Sequence, residues 1–134
     1  MTEFSIPVRI YYEDTDAGGI VYNANYVKFF ERARTEWLRS FGIQQDRLLE
    51  EGIAFVVKHL DLDFKSPARF NDMIHVFCEP AKLGAASIVF SQRIEAEDGR
   101  ILVTAEAKIA CVNLAEMKPM IIPDTVKEVF KRGS

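Results

Sequence analysis

Asp14 and Asp16 stand one residue apart in EDTDAGGIVYNANY, residues 13–26, and the chain then runs without a break into an apolar periodic segment. Asp and Gly are ordinary turn residues, and carboxylates just ahead of a helix interact favourably with its positive end. Three chemistries use the same pattern. A calcium loop starting at Asp14 would place Asp16 third, Gly19 sixth and Val21 eighth. Its twelfth place then falls on Asn25 where a bidentate Glu is required, and a strand precedes it where a helix should. Phosphoryl transfer through an Asp-x-Asp pair is usual on parallel sheets, and the chain has no such pattern. The third chemistry uses the helix itself. Asp16 beside the first helical turn would stand near the unpaired backbone N–H groups around Tyr22, Asn23 and Ala24. Those donors can hold a carbonyl oxygen as negative charge builds on it, while Asp16 supplies a base or a nucleophile. Gly18 and Gly19 would let backbone approach a substrate closely.

Bulk properties narrow the classes. The chain has 134 residues, 49% of them hydrophobic and 28% charged, with 7 Gly and 5 Pro, which fits one ordinary folded domain over residues 1–134. A formal charge of −3 leaves no large basic field, so nucleic acid is not an expected partner. The N-terminal MTEFSIPVRI lacks a basic and then apolar leader, and no run of about 18 apolar residues occurs, so membrane insertion is not expected and a soluble cytoplasmic protein is. Cys78 and Cys111 have no ligand spacing and sit in strand-like alternation, reading as buried free thiols with no metal site and no cofactor.

The elements that must position the acidic loop follow from periodicity. Residues 3–12 read as a strand, with Pro7 marking an edge or a bulge. Tyr26, Phe30, Ala33, Trp37 and Phe41 lay one stripe along a helix over 23–41, about 28 Å long, with Asn23 as N-cap and Gly42 as stop. A shorter helix is expected over 44–52. Strands follow over 53–64, 72–81, 85–97 and 100–113, the last two joined by Asp98-Gly99 in a type I′ turn. Ile88, Phe90, Gln92 and Ile94 face inward, and Ser87, Ser91, Arg93 and Glu95 outward. IAFVV, residues 53–57, is apolar on both faces, which suggests cover from a partner subunit or a long loop. A last helix is expected over 124–132. Strands and helices are segregated, so the fold class is α+β with an antiparallel sheet on one principal helix. No glycine-rich phosphate loop follows the first strand.

The segments RIYYEDTDAGGIVYNANYVKFFERARTEWL, FVV, SPARFNDM and CVNLAEMKP resemble the hotdog-fold acyl-CoA thioesterases of the 4-hydroxybenzoyl-CoA thioesterase-like group. The resemblance covers roughly residues 7–130 and is strongest to the YbgC-type enzymes associated with the Tol-Pal system. It implies a five-stranded antiparallel sheet wrapped around one long central helix, a homodimer with a continuous ten-stranded sheet, often a dimer of dimers (a homotetramer), and active sites at the dimer interface. Carried over by position, the catalytic carboxylate falls on Asp16, the carbonyl-polarising N–H at the helix start around Asn23, and an implicated tyrosine on Tyr12. YbgC-type enzymes commonly carry His where this chain has Asn23; an amide donates a hydrogen bond but shuttles no proton near neutral pH.

Neither His59 nor His75 replaces it, since both sit within strand segments. Gly19, Val21 and Tyr22 are the expected substrate-lining residues, and Arg69, Lys82, Lys58, Lys65 and Lys118 the cations available to coenzyme A phosphates. The expected reaction is hydrolysis of an acyl-CoA thioester, with Asp16 as general base for water or as nucleophile forming a mixed anhydride. Asp14 is expected to brace the loop or cap the helix. Two other classes compete: a non-catalytic hotdog module that binds acyl-CoA, or docks an acyl carrier protein or an envelope-lipid enzyme, and a dehydratase or hydratase, which usually requires a His that is missing near the helix start.

Overall fold

Tyr26, Phe30, Ala33 and Trp37 recur at helical spacing and all four are buried, with Phe29 and Leu38 widening the stripe. Their helix, α1, spans Asn23–Ser40. Phe41 follows as its C-cap, half-buried against Trp37 at 5.0 Å between ring centroids, and Gly42 stops the helix at φ +85°. Tyr22 occupies the N-cap, so Asn23 is the first helical residue and not the cap that its side-chain type suggested. The computed structural model describes residues 3–133.

Around α1 curls an antiparallel sheet. Its strands are β1 Ser5–Arg9, β2 Ile53–Phe64, β3 Met73–Leu83, β4 Ser87–Ala96 and β5 Ile101–Asn113, in the order β1-β3-β4-β5-β2. The two-residue β6, Lys118–Pro119, pairs with the end of β5. Helix α2 covers Gln45–Glu50 and α3 covers Asp124–Gly133. This is the hotdog arrangement. β1 is shorter than expected because its continuation, Tyr12–Asp14, turns into one 3-10 turn. Pro7 sits on the edge strand, where a missing N–H costs no ladder bond.

Register shifts at Val57/His59, Pro80/Lys82 and Ile94/Glu95 mark bulges, each of which adds local twist and helps the sheet close over the helix. The β4–β5 hairpin differs from the expected type I′ turn. Ala96 N–H donates to Arg100 O at 2.9 Å and Gly99 N–H to Ala96 O at 2.9 Å, so three residues, not two, form the loop. Gly99 alone in it takes a left-handed φ, +89°. That is a type I turn closed by a glycine bulge.

The inward alternation of β4 is as expected, with Ile88, Phe90, Gln92 and Ile94 buried. Both cysteines are buried free thiols. Beyond the middle of α1, Trp37 stacks on Phe130 of α3 at 5.0 Å and meets Phe90 edge-on at 5.6 Å. Residues 53–57 lie on β2 at the open edge of the sheet, where Val56 and Val57 are 40% and 49% exposed in a single chain. Among the described residues no helix is long and apolar enough to cross a membrane.

Because Trp37 anchors three aromatic contacts in the core, Trp37→Ala is expected to lower unfolding free energy by about 3–5 kcal/mol in urea titrations. Gly99→Ala, strained only at one turn residue, is expected to cost about 1 kcal/mol in the same measurement.

Candidate active site

The acidic loop is a small hairpin. Thr15 and Val21 form an antiparallel bridge, Asp16 N–H donates to Ile20 O at 3.0 Å, and Tyr22 N–H donates to Asp14 O at 2.9 Å. Its tip turns at Gly19, φ +76°, whose N–H returns to Asp16 O at 3.0 Å. The left-handed φ explains glycine there. Gly18 shows no such requirement: a Cβ on it would stand 3.4 Å from Asp16 Oδ1, an ordinary contact, and its N–H bonds that atom at 2.9 Å.

The two aspartates take opposite roles. Asp14 is buried, at 8% exposure. Its Oδ2 accepts the Tyr11 N–H at 2.8 Å and its Oδ1 accepts Asn25 Nδ2 at 2.9 Å. It therefore braces the loop against the first turn of α1 without capping that turn. Asp16 is exposed, and among the described residues Gly18 N–H is the only protein donor to its carboxylate. At the helix start Tyr22 makes no side-chain cap, and Asn25 N–H folds back to Tyr22 O at 2.8 Å. The N–H groups of Asn23 and Ala24 have no acceptor among the described residues.

A second segment, residues 66–72, holds the hairpin in place. Val21 N–H donates to Ala68 O at 2.9 Å, Phe70 N–H to Gly19 O at 3.3 Å, and Ile20 bridges Arg69. Tyr26 Oη accepts the Ala68 N–H at 3.0 Å, and burial raises the pKa of this phenol. Tyr12, 80% exposed, packs edge-on against Phe70 at 5.8 Å, while Phe64 lies 5.8 Å from Tyr26. Tyr12, Tyr22, Phe64 and Phe70 thus stay largely exposed around the loop. Exposed aromatic clusters of this kind mark interaction surfaces.

The structure brings Tyr12, Asp16, Gly19, Tyr22, Asn23 and Arg69 to one end of the fold. Val21 is there too, but its side chain is in the core at 4% exposure and its N–H is spent on Ala68. Lys82 is not: it pairs with Val89 near the far end of β3, about 30 Å along the strand from Met73. Lys65 is engaged with Asp63 at 3.0 Å. A cleft of 620 Å³ between β1 and α1 reaches the loop at Tyr11, Glu13 and Asp14, and a cavity of 110 Å³ lies between α1 and the inner sheet face. Asp16 lines neither of them. Asn25, Phe70 and the Tyr26 hydroxyl are site-building residues that the sequence pattern did not single out; each works through a partner distant in the chain.

Removing the amide that holds Asp14, in Asn25→Ala, is expected to cost about 1–2 kcal/mol of stability. It is also expected to speed hydrogen exchange at the Tyr11 and Tyr22 amides by at least tenfold over amides in β4, which NMR exchange rates check.

Residues 11–130 match the family model described as the thioesterase-like superfamily. The chain is 49% identical to the acyl-CoA thioesterase YbgC of Haemophilus influenzae, covering 95% of this chain and 93% of that protein. It is 44% identical to the acyl-CoA thioester hydrolase YbgC of Escherichia coli O6:H1, covering 98% of each. The crystal structure of a 1,4-dihydroxy-2-naphthoyl-CoA thioesterase from Synechocystis superposes with a TM-score of 0.90 at 23% identity, over 97% of this chain and 96% of that one, a likeness of fold. With a free-standing carboxylate, an uncapped helix start and this breadth of similarity, the chain belongs to the thioesterase-like superfamily.

Proposed function

We propose that the chain hydrolyses acyl-CoA thioesters to a carboxylic acid and coenzyme A, with Asp16 acting at the carbonyl carbon and the helix-start N–H groups holding the oxyanion. One observation carries the reading: the N–H groups of Asn23 and Ala24 are left without acceptors on the same hairpin-to-helix unit that presents the Asp16 carboxylate. Asp16 lies two residues up its leg from the Asp14–Tyr22 pair, about 7 Å.

In the base route, water adds to the carbonyl carbon and gives its proton to Asp16. The negative oxygen is held by the N–H donors, the C–S bond breaks, and the proton passes to the departing thiolate. In the nucleophile route, Asp16 bonds the carbon first, expels the thiolate, and water then cleaves the mixed anhydride. Both routes use the same donors, and label in the Asp16 carboxylate after single-turnover hydrolysis in ¹⁸O-water identifies an anhydride opened at the aspartyl carbon, an outcome that the base route cannot give. Asn23 contributes its backbone N–H and an amide side chain to this site, so proton transfer rests on Asp16.

The reading includes a second copy of the chain. β2 has an open edge, Val56 and Val57 are exposed on it, and the aromatic cluster around Tyr12 and Phe70 is uncovered. Pairing β2 with its counterpart would extend the sheet and close a wall over Asp16, which stands in the open in one protomer.

Asp16→Asn is expected to reduce free-thiol release from a panel of acyl-CoAs by at least about 100-fold with little change in KM. Acyl-CoA binding with no Asp16-dependent thiol release would instead identify a binding module. Val56→Glu is expected to shift the protein toward monomer in sedimentation and to lower turnover in parallel, with helix and sheet content retained by circular dichroism.

A further inference from the structure

We propose that the cavity between α1, β2 and the inner face of the sheet binds the carboxylate of a short acyl compound, held by the Arg34 guanidinium. Arg34 is only 7% exposed and lines this 110 Å³ cavity together with Leu38, Phe55, Val57, Ile109 and Phe130. Its Nη1 donates to Gln92 Oε1 at 2.9 Å, and Gln92 Nε2 in turn donates to Phe30 O at 3.0 Å. Gln92 is thus fixed as a neutral acceptor for one of the five guanidinium N–H groups. Among the described residues no carboxylate is ion-paired with Arg34. No fully enclosed side-chain nitrogen or oxygen lacks a partner among them either, so any Arg34 nitrogen without a protein acceptor retains contact with open space, and Arg34 lines this cavity.

A buried cation without a counter-charge is costly, and a carboxylate that reaches it gains charge-assisted, bidentate hydrogen bonds. Two ionisable neighbours bear on the charge balance. Burial pushes the Cys78 thiol up to about 12, so it stays neutral and supplies no counter-ion. Glu31 lines the cavity from an exposed position one helical turn before Arg34, and its negative charge opposes an entering anion. Thr35 and Gln45, hydrogen-bonded to each other at 3.3 Å, add a polar rim, while Ile88 and Phe90 join the other apolar side chains to give the rest of the wall a surface that suits a short hydrocarbon. By comparison with cavities that hold one small organic molecule, this volume takes about four to six heavy atoms.

Arg34 stands eleven positions along α1 from Asn23, about 16 Å, so the cavity is separate from the helix start. Such a carboxylate has two sources: a free short-chain acid, or the far end of a bound acyl chain long enough to span that separation and ending in a carboxylate. Only the second source rests on the thioesterase reading.

Calorimetry on the full chain with sodium butyrate, and butyramide as the neutral isostere, tests the proposal, with the Arg34 Nε–H resonance as the local readout. Butyrate is expected to bind and shift that resonance, and butyramide is not. Arg34→Met is expected to weaken butyrate binding at least about tenfold. Glu31→Gln, an exposed change that keeps the fold, is expected to tighten it several-fold and serves as the test should Arg34→Met fail to fold. Asp16→Asn is expected to bind butyrate as the wild type does, so loss of turnover leaves this result intact. Equal binding of butyrate and butyramide, no tightening in Glu31→Gln, or loss of butyrate binding in Asp16→Asn would overturn it. The sources separate by kinetics: a lower KM for acyl-CoAs with a terminal carboxylate than for their methyl-ended counterparts, lost in Arg34→Met, identifies the acyl end, and no such preference identifies the free acid.

Discussion

Both oxygens of the Asp14 carboxylate are committed, one to its own loop and one to the first turn of α1, and the geometry of this end of the molecule depends on how they are spent. An acidic residue just ahead of a helix ordinarily accepts the N–H groups of its first turn. Here the carboxylate turns instead to the Tyr11 N–H and the Asn25 side-chain amide, while the Asp14 carbonyl takes the Tyr22 N–H. The loop gains its rigidity from groups other than the helix-start donors. Asn23 and Ala24 therefore keep their N–H groups, the property that an oxyanion site requires.

That arrangement stands only because α1 is immobilised along its length. Its apolar stripe is closed in by the curled sheet, and the Trp37–Phe130–Phe90 cluster locks the helix near its C-terminal end. Between the two ends lies a polar interruption, Arg34 with Gln92, bonded onward to the Phe30 carbonyl. Apolar residues of similar size would stabilise such an interior at least as well. A polar pair bridging helix and sheet at one register instead favours a single alignment of the helix over β4, and it places a charge where the surrounding wall is greasy.

The opposite end of the fold is unfinished in a single chain. Tyr12, Tyr22, Phe64 and Phe70 present large apolar faces around Asp16, and β2 leaves a row of backbone groups on the sheet edge. Both features carry a solvation cost in isolation, and the strand pairing proposed above would relieve the two together. A carboxylate in open water is a weak partner for a carbonyl, so the same association that covers the aromatics would also raise the effectiveness of Asp16.

Local periodicity and local stops were legible in the amino-acid order. The buried stripe from Tyr26 to Trp37, the Gly42 stop, the Ile53–Phe64 strand, the edge position of Pro7 and the closing helix each follow from residues within a few positions of one another. Tertiary structure alone decided which of two near-identical aspartates is buried, because Asn25 and the segment around Ala68 select Asp14, and no short-range pattern distinguishes it from Asp16. It also set the β4–β5 loop at three residues, sent Lys82 to the far end of β3, and buried Arg34 against a glutamine 58 positions away. Periodicity reports which way a side chain faces; the partner it meets there is supplied by distant parts of the chain, and hydrogen bonds and charges depend on the partner.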